Sequence, residues 1–378
     1  MARVVVGSNP VASLAGQFGV AYDAEAYRHR ITATVGFDTA SFDLRDRKDA
    51  LEEFFYNGLG RHVVRYGPDG QFTAWEGQIV EMTLTVPGMR ATISLSAMYN
   101  RVAVRYTELD TGSNPPGETA DTTTADADDT DSQDRYGIKQ LVFRPPKASK
   151  LTQTDAEQLR DTMLSEYKQP RRSADIVSSM SEPRLRVKCQ GYGHTLGWRV
   201  YNYTAASGTD DADDEIADIN TSVGQFIAST DLDANTLQVA QYTNEDLTAL
   251  EQIQAIASLG DASDNRWLAY VLEDRKLYYK PASTTVKYWR RMADNRQEIR
   301  DQSGRVIPPW ELRPNNWIRT TDVYPFGLAP ANLQDDYQAM FIESVEWQEP
   351  DTLLLAGSRG DAMQGVIARA ANKGDVLL

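Results

Sequence analysis

The 378 residues include a single cysteine, Cys189, and three histidines, His29, His62 and His194. One thiol excludes an intramolecular disulfide framework and any cysteine-rich zinc module. The histidines stand 33 and 132 residues apart, so no His-x-His or His-Glu-x-x-His ligand set exists for a zinc hydrolase. Long apolar runs are missing as well. The longest aliphatic ones, Val4-Val5-Val6 and Leu353-Leu354-Leu355, fall far short of the ~20 residues that span a bilayer. Gly-Ser-Asn-Pro at 7–10 interrupts any signal-peptide core. Neither Gly-x-Ser-x-Gly nor a Walker A loop occurs, and Gly191-Tyr192-Gly193 runs on to Gly197 at the wrong spacing for a dinucleotide loop. Glycine and proline, 25 and 16, are near average and exclude a collagen-like or wholly disordered chain. A soluble protein made in a reducing cytoplasm is expected, with no catalytic, cofactor-binding or metal residue to nominate.

Basic residues are also scarce. Lys plus Arg number 39 against 54 Asp plus Glu, a net charge of −15, which argues against duplex nucleic-acid binding through a basic face. The acid is concentrated in two windows. Between Arg105 and Arg135 there are nine acids and no base, and the core of that stretch lacks large apolar side chains, so 109–134 is expected to be an acidic flexible loop. From Val200 to Asn265 there are 13 acids and no base, but here helical periodicity predicts a folded segment with one negative face. Neither window meets the EF-hand template. The run from Asp129 lacks the Gly at position 6 and has Gln140 at position 12, and the run from Asp211 likewise lacks the Gly and has Ser222 at position 12.

Apolar residues at 41% are enough for a substantial core, and the length suits two to three domains. The first hundred residues alternate apolar and polar at 31–37, 79–86, 92–98 and 100–106, with turns at Gly67-Pro68-Asp69-Gly70 and Pro87-Gly88. One short helix is predicted at 46–56, carrying Leu51, Phe54 and Phe55. Thr154-Asp-Ala-Glu157 reads as a capping box for a helix with Ala156, Leu159, Met163, Leu164 and Tyr167 on one side. Pro183-Arg-Leu-Arg-Val-Lys-Cys-Gln alternates cleanly and points Cys189 into a core. Two helices follow, one with Ile216, Ile219, Val223, Phe226 and Ile227. The other has Leu247, Leu250, Ile253, Ile256 and Leu259 between an Asn244 cap and a Gly260 stop. Hairpins are predicted across 273–275 and 349–351, and the tail from Gly357 is expected to dock weakly or fray.

The expected architecture is α+β and β-rich, with small β-barrels joined by α/β inserts. Residues 1–108 form an N-terminal barrel, 109–134 the acidic loop, 135–265 a mixed α/β domain, 266–356 a C-terminal β domain and 357–378 a tail. Chemistry finds little support. Cys189 and His194 are five residues apart across a strand end, where they rarely face each other. Paired carboxylates, which a glycan- or peptidoglycan-cleaving enzyme would need, arise by chance among 54 acids. Trp267, Trp289, Trp310, Trp317 and Trp347, with Tyr270, Tyr278, Tyr279, Tyr288 and Tyr324, suit either a sugar-stacking platform or a β-domain core. Arg171-Arg172, Arg184-x-Arg186-x-Lys188 and Arg290-Arg291 are local basic patches that suit head-to-tail assembly by charge complementarity or simply solvated strand faces.

Several segments together resemble the baseplate hub or tail-tip proteins of tailed phages. They are Trp75-Glu-Gly-Gln-Ile-Val-Glu, Asp131-Ser-Gln-Asp-Arg-Tyr-Gly137, Pro183-Arg-Leu-Arg-Val-Lys-Cys-Gln-Gly-Tyr-Gly-His-Thr-Leu-Gly-Trp-Arg-Val-Tyr and Leu312-Arg-Pro-Asn-Asn-Trp-Ile-Arg. The resemblance implies a non-enzymatic virion component, made in the host cytoplasm, whose tail-tube-like barrels form a trimer with a pseudo-sixfold ring. Its implied partners are the tail tube or distal tail ring, the tape measure protein, and a spike or fibre. A negative lumen would let DNA pass without sequence recognition. The alternatives are a hexameric distal tail ring and a carbohydrate-binding, receptor-recognising tail module. The acidic stretch matches no feature of the family.

Overall fold

A computed structural model describes residues 2–8, 19–68, 70–110, 117–146, 150–178, 182–201, 209–240, 247–293, 296–320, 339–349 and 352–358. The chain begins with β1 Ala2–Val6, β2 Val20–Thr32, β3 Gly36–Leu44, helix α1 Lys48–Asn57, β4 His62–Tyr66, β5 Thr73–Val86 and β6 Met89–Ser94. An insert follows: β7 Arg101–Asp110, β8 Gly117–Thr123, β9 Ala127–Asp128, α2 Thr130–Tyr136, β10 Gln140–Phe143, α3 Gln153–Tyr167 and β11 Arg171–Ile176. The chain then returns through β12 Arg184–Gln190 to a second α/β stretch of β13 Thr209–Asp211, α4 Ala212–Val223, β14 Ser229–Leu232, β15 Gln238–Ala240 and α5 Ala249–Leu259. It finishes with β16 Trp267–Leu272, β17 Lys276–Pro281, β18 Val286–Ala293, β19 Arg296–Asp301, β20 Trp317–Thr320, β21 Ala339–Gln348 and β22 Thr352–Ser358.

Six strands close on themselves in the order β3, β12, β5, β4, β1, β2 and back to β3, antiparallel throughout. The period of two in Arg184–Gln190 explains the wall. Leu185, Val187 and Cys189 align with Leu44, Phe42 and Ala40 on one neighbour and with Leu84, Met82 and Ile79 on the other, and all nine are buried. Their partners in alternation face outward, where Arg184 and Arg186 meet Asp43 and Lys188 meets Glu81. The barrel bends at a bulge in β2 between Glu25 and Arg28, where Ala26 has φ +48°. Helix α1 packs Leu51, Phe54 and Phe55 into the same core. The inside is therefore packed with side chains, as expected for so few strands.

A second sheet grows from the barrel. The end of β2 pairs with β21, which pairs with β22 and β20, and β20 leads to β18 and β19. Trp289, Trp317 and Phe341 fill one cluster here, and Tyr288, Ile318, Ile342 and Val345 another. The hairpins predicted across 273–275 and 349–351 are the pairs β16–β17 and β21–β22.

The stretch 109–134, expected as a flexible loop, carries β8, β9 and most of α2 among its described residues. β-branched Thr122 and Thr123 pair with β7, and Asp129 caps α2 by accepting from the Ser132 N–H at 3.0 Å. The acids here are tethered, Asp128 to Arg101 at 2.7 Å and Asp129 to Lys168 at 2.9 Å. Two helix starts differ from expectation. The capping box of α3 is Thr152 with Asp155, two residues before the predicted one, and its expected stripe is only half-buried apart from Ala156. Helix α5 is capped by Thr248, boxed with Glu251, and not by the predicted Asn244. Asn244, Tyr324 and the tail beyond 358 lie outside the described residues.

Candidate functional site

Three of the four segments singled out above converge on one joint, where the barrel meets the second α/β stretch and the C-terminal sheet. Trp75 is fully buried, and the two glycines beside it let backbone touch backbone. A Cβ on Gly77 would stand 2.2 Å from the Gln190 carbonyl oxygen, and one on Gly191 1.7 Å from that of Phe37. Past Gly191 the chain winds through a 3-10 turn, Tyr192–Trp198, burying Tyr192, Leu196 and Trp198 against the barrel's outer face. The Tyr192 hydroxyl lies 2.7 Å from His62 Nδ1, their rings stack, and the Arg275 guanidinium sits over Tyr192 at 5.6 Å.

Burial drives the electrostatics of this joint. It lowers the His62 pKa to about 4, with Arg275 adding to the effect, so the ring is neutral at neutral pH. It raises Glu76, 3.7 Å from His62, to about 7 despite N–H donors from Asp274 and Arg275. Arg313 sews the C-terminal sheet on. Its guanidinium donates to the Thr73 carbonyl at 2.6 Å, to Glu273 at 2.6 Å and to the carbonyls of Trp310 and Leu312, and it lies 4.6 Å from the Phe72 ring centre. The fourth segment braces the insert: Ser132 Oγ donates to the Lys168 carbonyl at 2.8 Å, and Asn100 donates to the Gly137 carbonyl at 2.8 Å.

The chain's likeness to known proteins is to solved structures alone. No family model and no curated protein matches it. Among solved structures it is similar to the 43 kDa tail protein of prophage MuSo2 from Shewanella oneidensis, at 8% identity over 96% of this chain and 98% of that one, with a TM-score of 0.46. It is also similar to the prophage tail protein gp18 from Listeria monocytogenes EGD-e, at 7% identity over 99% of each chain and a TM-score of 0.40. A third is the E. coli c3393 protein, a type VI secretion component described as structurally similar to the T4 phage tail proteins gp27 and gp5. There the identity is 10%, over 89% of this chain and 75% of that one, with a TM-score of 0.41.

Beside the joint, a groove of about 760 Å³ runs between the barrel's outer face and the inserts. Arg28, Arg30 and Lys188 line the barrel side, Lys139, Trp198 and Leu250 the other. Most of its charge is matched within the chain: His194 with Asp38 at 2.7 Å, Arg30 with Asp38 at 3.7 Å, and Lys188 with Glu81 at 2.6 Å. Arg28, which donates to Ser41 Oγ at 2.9 Å, and Lys139 are not matched to a carboxylate. The Lys139 ammonium donates to the Leu95 and Ser96 carbonyls at 2.5 and 3.2 Å, and burial lowers its pKa to about 8. The His194–Asp38 pair and the Lys139 donations thus fasten the inserts to the barrel.

The residues weighed for chemistry are placed as follows. Cys189 faces the barrel core with its thiol pKa pushed up by burial, while His194 faces Asp38. Among the described residues no three His, Cys, Asp or Glu side chains are grouped to hold a metal ion, and no helix is long and apolar enough to cross a membrane. In the acidic windows Asp213 accepts from the Asn235 N–H at 2.9 Å and Asp129 caps α2. Trp267, Trp289, Trp317 and Trp347 are buried and Trp310 half-buried, so the C-terminal tryptophans form core and present no stacking platform. Sequence reading missed Lys139, Arg313 and Glu215. Glu215 lies on the buried face of α4 with both carboxylate oxygens unpartnered, and its neighbours in sequence gave no sign of that because every one is acidic or apolar.

Proposed function

We propose that this chain is a non-enzymatic structural component of a tailed-phage virion, an oligomeric hub of the baseplate or tail tip. The observation that carries the reading is the closed barrel whose joint is built from the hub-like segments: Trp75 to Gly77, Gly191 to Trp198, and Arg313. A six-stranded barrel packed solid with Phe42, Met82 and Val187 conducts nothing. A passage for DNA must therefore form between barrels of several copies, which makes oligomerisation part of the function. A trimer joined to the tail tube or distal tail ring above, to the tape measure protein within, and to a spike or fibre below is the arrangement we favour. The net charge of −15 suits a wall along which DNA slides.

Absolute mass by light scattering, over a concentration and salt series, tests the assembly. Three copies support the hub, and six replace it with the distal tail ring. Gold-labelled antibody on virions tests the location: label at the tail tip is expected, and label on the head, or none on intact particles, refutes the reading.

A further inference from the structure

Strand β11 exposes all six of its side chains, Arg171 to Ile176, and Ile176 is 97% exposed. It pairs with β6 on one side only among the described residues, with no proline and no register shift to blunt the other side. A strand that buries none of its side chains gains almost nothing from the hydrophobic effect, and its outer row of N–H and C=O groups is a template for another strand. Outer strand β22, by contrast, packs Leu353 and Leu355 against a core cluster. The arm is also basic: of Arg90, Arg171, Arg172 and Asp175, Arg90 and Asp175 stand opposite each other, leaving Arg171 and Arg172 as excess.

The same chain carries an edge of opposite charge. Strand β8 pairs only with β7 among the described residues, and its sequence, Gly-Glu-Thr-Ala-Asp-Thr-Thr, has two acids and no base. It is seven residues long against six for β11. Exposed Asp121, which accepts from Thr107 at 2.8 Å, keeps further lone pairs for a guanidinium.

We propose that β11 is a strand-addition site completed by β8 of a second copy of this chain. One basic and one acidic edge per copy make the contact heterologous, so repetition closes a ring and leaves no β11 edge free. This inference rests on the oligomeric reading above and names its contact.

Cys189 is buried, so a cysteine introduced at the surface is the reactive thiol. Two separately tagged preparations, Ser173→Cys and Thr122→Cys, are mixed and mildly oxidised. A disulfide joining the two tags is expected, with at least tenfold less between two copies of the same variant. Arg171→Glu with Arg172→Glu is expected to reduce the assembled mass to that of one chain, and Asp121→Arg added in the same chain to restore it. Far-UV circular dichroism should not change, since all three positions are exposed. A wild-type assembly indifferent to the charge reversals, without mixed disulfides, overturns this contact and leaves the tail reading standing. A wild-type chain that stays monomeric at every concentration overturns the contact too. In that case virion labelling alone decides whether it is a tail protein.

Discussion

Replacing Glu215 by Gln is expected to stabilise the protein at pH 8 and to leave it nearly unchanged at pH 5. The Glu215 side chain is fully buried on helix α4, and neither carboxylate oxygen has a hydrogen-bond partner. Burial, then Asp218 and Asp210, raises its pKa from 4.5 to about 7. The folded state therefore holds a proton that the unfolded chain has already released across that window. Stability contributed by the neutral acid is present below about pH 4.5, declines as pH rises, and is gone above about pH 7. At ~1.36 kcal/mol per pH unit the full cost of ionising Glu215 in place approaches about 3.4 kcal/mol. Local relaxation around the newly formed charge offsets part of it, so we expect about 2 kcal/mol. Gln keeps the shape and carries no proton to lose. Urea denaturation of both proteins at pH 5 and pH 8, with the midpoints compared at equal slope, measures the difference. Equal effects at the two pH values would refute the assignment of an unpartnered, proton-holding carboxyl to Glu215.

Acid should destabilise the barrel through its two buried histidines, lowered to about 3 for His29 and about 4 for His62. Because the unfolded rings bind protons first, stability falls as pH drops below about 6.5, and His62→Gln should flatten that acid limb of the denaturation profile. Gly191→Ala would drive a methyl into the Phe37 carbonyl, whereas Gly88→Ala, at φ +84° with open space around it, meets only backbone strain. We expect a loss above about 3 kcal/mol, seen as failure to express in soluble form, against about 1 kcal/mol for Gly88→Ala by thermal melting. Thr248→Ala removes half of a capping box on α5 and should cost about 1 kcal/mol, measured the same way.

Elements whose pattern is local were legible in the sequence. Alternation at Arg184–Gln190 placed Cys189 inward, the apolar spacing of Leu51, Phe54 and Phe55 marked α1, and Gly260 closed α5. The caps of α3 and α5 were misplaced because several Ser, Thr, Asp and Asn residues near each start offer similar side chains. Only the backbone path selects which one faces the free N–H groups. The acidic stretch was misjudged for a related reason. Its composition shows no apolar payload, but Arg101 and Lys168, distant in sequence, supply the counter-charges that order it. The joint was half visible: its segments were recognisable, but that they meet was not.

What the amino-acid sequence determined alone is the part that follows from period and composition: a β-rich start and paired acidic windows. What the tertiary structure decided is which strands close the barrel. β12 enters between β3 and β5 only after the whole insert has been threaded, and the loop entropy of that closure is offset by non-local pairings that no window of sequence contains. Elements far along the chain likewise set the surroundings of Lys139 and Arg313, and β11 is left with a bare edge.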